Sequence, residues 1–335
     1  MKDNKLNIDC TPMDSYACGV YRVINIGEML YRDYKVTISP PGAFHYHNQE
    51  YFFTQRVCGT KNMETLLKIK NQVPVKFVID YDDNVWDELP KYNFTKLDWQ
   101  DNRKSMVDHL DELADVITVS TQSLKDSLCE FVPAHKIKVI PNMLPRYKWN
   151  FKRTAKPTNN DILYAGSPTH FSNDKHMYGD FTSEWDKFLK DKTVNIMGIC
   201  PWFITPNKVY DWTDMITYAH NFYNIAQQNK FVIAPLADNF FNWCKSDLKY
   251  LECCAVGRVC LVTDFENSPY HYAHELQKIP LKATAKQIEY AMEQCDKHYE
   301  EIVEYQYEYL NNRWLELNIH KYKEIFDTDK NNIKI

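Results

Sequence analysis

Short runs of β-branched and apolar residues recur along the chain, with segments of helical periodicity between them. This alternation is typical of parallel α/β sheets, whose strands are buried on both faces and joined by covering helices. The predicted strands form two sets, at residues 75–79, 116–119 and 137–140, and at residues 162–165, 194–197, 231–234 and 259–262. Each set predicts one Rossmann-like domain.

The polar and apolar positions between these strands predict helices. Met106, Leu110 and Leu113 fall on one face of a helix between the first two strands. After residue 262 the pattern is mostly helical, and Thr284 with Gln287 predicts a capping box at a helix start. Apolar residues then recur at helical spacing, at Ile288, Met292, Cys295, Tyr299 and Ile302.

Prolines at 141 and 145 interrupt the pattern near the middle of the chain, and a polar stretch follows them. A chain of 335 residues has the length of two domains, and two domains imply a cleft. We predict a first domain at 1–145, a linker at 146–157, a second domain at 158–305 and a helical segment at 306–335.

Composition narrows the class of protein only slightly. With 44% hydrophobic and 25% charged residues the chain is ordinary globular material, and its net charge of −5 gives no global basic field. The ten cysteines include no C-x-x-C spacing, which predicts reduced thiols rather than a zinc knuckle or a disulfide framework. The first residues lack an apolar run and no stretch is long enough to span a bilayer, so we expect a cytoplasmic protein.

The segment after the predicted strand at 231–234 is a candidate anion site. If a helix begins near Lys245, then Lys245, Lys249 and Glu252 share one of its faces. Lys245 and Ser246 at a helix start would suit a diphosphate, because free N–H groups and the helix dipole both favour anions. Glu252 could accept hydrogen bonds from ribose hydroxyls, and Gly257 fits the position just after the helix. A solvated, salt-bridged helix face is the alternative.

Two further strand ends carry candidate chemistry. The strand at 162–165 leads into Gly166 and Ser167, a turn that lets backbone N–H groups approach a phosphate, and His170 follows. A structural hydrogen bond is the alternative role for His170.

Asp80, Asp82 and Asp83 follow the strand at 75–79, at the edge where α/β sheets place ligands. Asp80 and Asp82 have a D-x-D spacing, and hard oxygen ligands suit Mg²⁺ or Mn²⁺. The alternative is an acidic loop whose aspartates cap turns.

The order of these blocks resembles the retaining GT-B glycosyltransferases of the group 1, family 4-like kind, which include capsule, O-antigen and bacteriophage enzymes. The blocks lie at residues 17–22, 80–83, 114–121 with 140–142, and 166–170 with 245–252. The resemblance implies two facing Rossmann-like domains, of which the one at 1–145 binds the acceptor and the one at 158–305 binds a nucleotide-sugar donor. It also implies that the helical segment at 306–335 crosses back to pack on the first domain, and that no metal is obligatory. The family's two glutamates seven residues apart are only half present, since Glu252 keeps the second and Cys244 stands at the first. We infer that Lys245 and Ser246 contact phosphate here instead.

The activity that the resemblance implies is transfer of a sugar from a nucleotide-sugar, expected to be a UDP-sugar, to an acceptor hydroxyl with retention. Positive groups and N–H dipoles would stabilise the leaving diphosphate, and the candidates are Lys245, Ser246, Lys249 and Gly166. Arg22 could help from the opposite domain or form an ordinary salt bridge. Asp80, Asp82 or Asp83 could orient the acceptor or act as a general base.

The acceptor stays open at this level. Basic and aromatic residues alternate at Lys148, Trp149, Lys152 and Arg153, a combination that can contact phosphates and stack on bases. The composition and the compact blocks also look similar to bacteriophage glycosyltransferases, some of which modify hydroxymethylated bases of DNA. One hypothesis is a phage enzyme that acts on such bases in the host cytoplasm. The alternative for the basic and aromatic segment is a polar linker with docked aromatics. A cell-surface polysaccharide or lipid-linked sugar is the other acceptor class. A non-catalytic nucleotide-sugar-binding protein is the alternative to an enzyme.

Overall fold

Two six-stranded sheets form the framework of the computed structural model, which describes residues 5–43, 49–89, 98–166, 179–211 and 214–328. The first sheet contains β1 (Asn7–Thr11), β2 (Lys35–Ile38), β3 (Tyr51–Gln55), β4 (Lys76–Tyr81), β5 (Val116–Val119) and β6 (Ile137–Val139), in the order β2-β1-β3-β4-β5-β6. The second contains β7 (Ile162–Gly166), β8 (Val194–Gly198), β9 (Lys208–Tyr210), β10 (Phe231–Ala234), β11 (Val259–Asp264) and β12 (Lys278–Pro280), in the order β12-β11-β10-β7-β8-β9. Neighbouring strands pair in parallel in both sheets.

Helices connect the strands and cover both faces of each sheet. Those of the first half are α1 (Ala17–Gly19), a π-helical turn (Val20–Ile24), α2 (Asn25–Leu30), α3 (Thr60–Lys70), α4 (Trp99–Leu113), α5 (Gln122–Leu128), a 3₁₀ turn (Ala134–Lys136) and α6 (Arg146–Trp149). Those of the second half are α7 (Gly179–Leu189), α8 (Tyr218–Ala226), α9 (Phe240–Trp243), α10 (Leu248–Val256), a 3₁₀ turn (Glu275–Gln277), α11 (Ala285–Lys297), α12 (Tyr299–Asn311), α13 (Leu315–Asn318) and α14 (His320–Asp327).

The predicted strands are all present, and their observed ends lie within two residues of the expected ones. The pattern missed β1, β2, β3, β9 and β12. Polar side chains explain the first of these, since Asp9 in β1 is buried and accepts a hydrogen bond from Ser39 at 2.6 Å. The strands β9 and β12 are only three residues long, too short for a periodic signal.

Local helix signals were read correctly where they depend on neighbouring residues. The capping box of Thr284 and Gln287 forms at the start of α11. Gly257 ends α10 in the left-handed conformation with φ of 67°, which a glycine adopts without steric cost. The apolar series that begins at Ile288 is buried, although it is divided between α11 and α12.

The end of the chain returns to the first sheet, as the resemblance implied. The crossing is fixed by two backbone hydrogen bonds: the N–H of Leu144 donates to the carbonyl oxygen of Arg313 at 3.1 Å, and the N–H of Leu315 donates to the carbonyl oxygen of Leu144 at 2.9 Å. Beyond it, Tyr322 and Phe326 of α14 are buried in the core that covers one face of the first sheet. The ring of Phe326 lies 5.2 Å from that of Tyr51, edge to face.

We expect Phe326→Ala to lower the free energy of unfolding by about 3–5 kcal/mol, because it removes a fully buried ring from a packed core. Leu317→Ala is the control: this side chain is 54% exposed, and its loss should cost no more than about 0.5 kcal/mol. Urea titration followed by tryptophan fluorescence measures both. Equal effects of the two substitutions would contradict the docking of α14 on the first domain.

Candidate active site

The two domains meet at the carboxyl ends of β4 and β10, the edge where parallel sheets place ligands. Lys245 Nζ of the second domain lies 3.2 Å from Asp83 Oδ1 of the first. Close by, Thr121 Oγ1 donates to the carbonyl oxygen of Cys244 at 3.1 Å, and Asn142 Nδ2 donates to Ser246 Oγ at 2.7 Å. Residues 244–246 are thus bound to the first domain.

A cavity of about 370 Å³ opens beside these contacts. The first domain lines it with residues 84 and 87–89, and the second domain lines it with Asn239, Phe240 and Phe241. Its size is in the range of small-molecule sites, and it has polar groups along one wall. A ligand at this place would contact both domains.

The helix predicted to begin near Lys245 begins instead at Leu248. The short helix α9, capped by the Asn239 side chain, ends at Trp243, so Lys245 and Ser246 lie in the connection between two helices. The expected common face of Lys245, Lys249 and Glu252 therefore does not form.

Lys249 and Glu252 do lie together, and they form a buried polar cluster. The Glu252 carboxylate accepts from Tyr21 OH at 2.9 Å, from Tyr218 OH at 3.0 Å and from Lys249 Nζ at 2.9 Å. Burial lowers the pKa of Lys249, but the Glu252 carboxylate and, to a smaller extent, Tyr218 and Cys253 together raise it, so the net pKa lies well above its usual value and the ammonium stays charged. Because Tyr21 belongs to the first domain, this cluster also joins the two domains.

Arg22 and Asp80 form a buried ion pair rather than surfaces of the cleft. The Asp80 carboxylate accepts from Arg22 Nη2 at 2.7 Å and from Thr118 Oγ1 at 2.5 Å. Their side chains are 2% and 0% exposed, so neither group reaches a bound substrate in this conformation. The salt bridge that was the alternative for Arg22 is therefore present, and a catalytic role for Arg22 or Asp80 stays a prediction.

Local backbone geometry brings this pair together. A Cβ on Gly19 would lie 1.9 Å from the carbonyl oxygen of Asp14, so only glycine lets α1 start this close to the preceding loop. The π-helical turn that follows carries Tyr21 and Arg22, and such turns are frequent at functional sites.

Arg56 is a site residue that the sequence reasoning missed, because β3 was not predicted. Its guanidinium donates to Asp82 Oδ1 at 2.7 Å, to Asp83 Oδ2 at 2.8 Å and to Cys18 Sγ at 2.8 Å. Its φ of 49° places it in the left-handed region, where a non-glycine residue is strained. This conformation turns the guanidinium towards the acidic loop after β4.

Cys18, Asp82 and Asp83, which Arg56 contacts, also form the group of potential metal ligands in the described part of the chain. One ligand atom each from Cys18, Asp82 and Asp83 lies within 4.8 Å of the others. The guanidinium of Arg56 contacts all three and already supplies a positive charge. Burial raises the pKa of Asp82, yet Arg56 lowers it by more, and the net pKa is below its usual value. Burial also raises the pKa of Cys18, which is therefore a thiol.

The predicted Gly166 turn is described only at its start. Gly166 ends β7, and a Cβ there would lie 2.2 Å from the Tyr164 hydroxyl, so close packing already requires a glycine. Ser167 and His170 lie outside the described residues. Phosphate binding by this turn stays a prediction.

The basic and aromatic segment at 148–153 is mostly used to join the domains. Trp149 is 2% exposed and its ring packs against those of Tyr21 and Tyr218, as the alternative of a linker with docked aromatics describes, while contact of this segment with a nucleic acid stays a prediction. Lys148 Nζ donates to Asn25 Oδ1 at 2.6 Å, and Arg153 pairs with Glu304 at 2.7 Å. Lys152 is exposed. The alternative of a linker with docked aromatics describes this segment.

By sequence, no family model and no curated protein matches the chain. Comparison of structures finds sucrose-phosphate synthase from Thermosynechococcus elongatus, with a TM-score of 0.63 and 11% identity over 96% of this chain and 98% of that one. The lipopolysaccharide outer core galactosyltransferase WaaB is similar with a TM-score of 0.57 and 12% identity, over 96% and 99% of the two chains. MnaA of S. aureus, in its structure with UDP, gives 0.55 and 10%, over 99% and 98%.

These likenesses extend over nearly the whole chain and establish its fold. The chain has the GT-B fold, with two parallel α/β domains, and the fold class expected from the sequence is confirmed. In the described residues no helix has the length and apolar character needed to cross a bilayer.

We expect Arg56→Gly to lower stability at neutral pH, because it leaves Asp82 and Asp83 without their guanidinium. Glycine accepts the positive φ, so backbone strain does not add to the loss. In the wild type the pKa of Asp82 is lowered on folding, so its contribution is present above the unfolded value of about 4 and disappears as the pH falls. The deficit of the variant should therefore be largest near pH 7 and shrink below about pH 4.

Urea titrations of wild type and variant at several pH values measure this difference. Arg103→Ala is the control, since Arg103 also pairs with two carboxylates but is 40% exposed, and its loss should cost less than about 1 kcal/mol. A deficit for Arg56→Gly that does not change with pH would contradict the ionic role of Arg56.

Proposed function

We propose that this chain is a glycosyltransferase that moves a sugar from a nucleotide-sugar, a UDP-sugar, to an acceptor hydroxyl with retention of the anomeric configuration. The observation that carries the proposal is the interdomain site of a GT-B fold, where Lys245 faces the acidic loop at Asp83 beside a ligand-sized cavity. A fold by itself does not decide a reaction, so the proposal depends on the chemistry of these residues.

Sugar transfer builds negative charge on the leaving diphosphate while the anomeric carbon becomes positive. In our proposal Lys245 and the turn that begins at Gly166 compensate the diphosphate. Lys249 and Glu252 form the polar base of the donor site, where the carboxylate is held by two tyrosines. We propose that no divalent metal is required, as the resemblance to retaining GT-B glycosyltransferases implies, and we expect EDTA to leave the rate unchanged.

Asp82 and Asp83 are the carboxylates that we propose to orient the acceptor, since both lie at the cleft rather than inside a domain. Asp82 is 9% exposed as a side chain and Asp83 20%. Because Arg56 lowers the pKa of Asp82, that carboxylate is ionised near neutral pH and accepts hydrogen bonds. Retention is tested by NMR of the product anomer.

The proposed acceptor is a carbohydrate hydroxyl. WaaB, which matches this chain over its whole length, is by its name a galactosyltransferase of the lipopolysaccharide outer core. The burial of Trp149 and the pairing of Lys148 and Arg153 leave little of the basic segment for DNA. UDP is proposed as the nucleotide because the similar MnaA structure contains it.

The first test incubates the pure protein with a panel of nucleotide-sugars and measures release of the nucleoside diphosphate. Sugar acceptors, lipid-linked sugars, hydroxymethylated DNA and unmodified DNA are supplied in turn, and products are weighed by mass spectrometry. A sugar-sized mass gain on a carbohydrate supports the proposal, and a gain confined to hydroxymethylated DNA would replace its acceptor. Binding of a nucleotide-sugar without turnover on any acceptor would favour a binding protein.

Lys245→Ala should lower kcat by about 10²- to 10³-fold, because it removes a positive group from the leaving diphosphate. Steady-state kinetics with the active donor give kcat and KM. Lys187→Ala, which removes a lysine that is 64% exposed and paired on the surface of α7, should leave both values unchanged. An unchanged rate for Lys245→Ala would remove Lys245 from the site.

A further inference from the structure

The cations at the interdomain site are already neutralised by carboxylates of the protein. In the described part of the chain the pairs are Arg22 with Asp80, Arg56 with Asp82 and Asp83, Lys245 with Asp83, Lys249 with Glu252, and Arg313 with Asp247. A diphosphate that enters this site would bring further negative charge against these filled pairs. Displacement of one of these carboxylates would free a cation for the diphosphate.

The pair of Lys245 and Asp83 is the easiest of these to exchange. Its N–O distance is 3.2 Å, while each of the other pairs has a contact of 2.7–2.9 Å. It consists of one hydrogen bond, whereas Arg22 binds Asp80 through two nitrogens. Its side chains are 12% and 20% exposed, so water and a ligand can reach it.

Asp83 keeps a positively charged partner when the side chain of Lys245 turns away from it. Its other oxygen accepts from Arg56 Nη2 at 2.8 Å, and that guanidinium stays in place through Asp82. Removing one partner of an isolated buried pair would strand a charge at a large cost. Here Arg56 removes that cost, because it remains as the counterion of Asp83.

The exchange needs only a side-chain movement. The residues on both sides of Lys245 are anchored to the first domain: Cys244 is buried among its core residues, and Ser246 accepts from Asn142. The backbone can thus stay where it is while the four-carbon side chain of Lys245 turns from the carboxylate to a phosphate. The centroid of the Phe241 ring lies 4.4 Å from Nζ and gives the ammonium an uncharged neighbour.

We propose that Asp83 is an internal counterion that holds Lys245 until the diphosphate of the donor replaces it, with Arg56 retaining Asp83 after the exchange. This inference rests on the proposed function, since it takes the ligand to be a nucleoside diphosphate group. Asp83 then competes with the donor, so it is a positioning residue that lowers donor affinity. The ion pair that donor binding breaks is also one that joins the two domains.

The test measures binding of UDP by isothermal titration calorimetry to wild type, Asp83→Asn, Asp83→Glu, Lys245→Ala and the double variant Asp83→Asn with Lys245→Ala. Asp83→Asn should tighten UDP binding by about three- to tenfold, which is the usual size of coupling between contacting residues. Asp83→Glu keeps the charge and should stay within about twofold of wild type. In the Lys245→Ala background the asparagine substitution should have no effect, because its advantage acts through Lys245.

Asp108→Asn is the matched control, since it breaks another aspartate–lysine pair on the outside of the first domain, with Lys104 at 2.6 Å. It should leave UDP affinity unchanged, and thermal melting checks that every variant is folded. Unchanged or weaker binding by a folded Asp83→Asn protein would overturn the inference. Equal tightening with and without Lys245 would overturn it as well, because that result needs only the loss of a nearby negative charge.

Failure of the proposed function gives a different result. Wild type is titrated with UDP, ADP, GDP, CDP and dTDP, and the tightest of these replaces UDP in the variant series. If none binds to wild type and no nucleotide-sugar is consumed, the proposed function fails. If one binds and the variants follow neither expectation, only the counterion role of Asp83 fails.

Discussion

The buried ion pair of Arg22 and Asp80 is the interaction on which the domain interface depends. Besides Asp80, the guanidinium donates to the carbonyl oxygen of Ile140 at 2.7 Å and to Asn142 Oδ1 at 3.0 Å. Asn142 in turn donates to Ser246 and accepts at its carbonyl from Arg313. One guanidinium therefore fixes the π-helical turn and the ends of two strands. Through Asn142 it also fixes the segments at Ser246 and Arg313. Such a pair is costly to break because each partner would leave an uncompensated buried charge.

The pairing of buried cations with carboxylates is the second constraint, and it recurs along the cleft. Arg56 adopts a strained conformation to reach Asp82 and Asp83, and Lys249 is held by Glu252. Paired groups of this kind are stable without a ligand. Their cations can bind an anion if it replaces the carboxylate partner. The site thus combines pairs inside each domain with a pair of longer N–O distance, 3.2 Å, between Lys245 and Asp83 of different domains.

Apolar packing also holds the two domains against each other. Trp149 fills the space between Tyr21 of the first domain and Tyr218 of the second, while Cys244 packs in the core of the first domain. The return of the chain after Trp314 then buries α14 against the first sheet. The first domain therefore contains two pieces of the second half of the chain, and relative motion has to occur around these contacts.

The sequence by itself determined the elements whose signals are local or periodic. Buried parallel strands gave continuous apolar runs, and the cap at Thr284 and the glycine at 257 depend only on near neighbours. Spacing also singled out Lys245, Glu252 and Asp83, but it placed the helix start three residues early. Tertiary structure alone decided that Trp149 is buried, that Asp80 belongs to Arg22, and that Arg56 joins the site. Those outcomes depend on partners 26 to 128 residues away in the sequence, since side chains so distant meet only when the sheets are assembled.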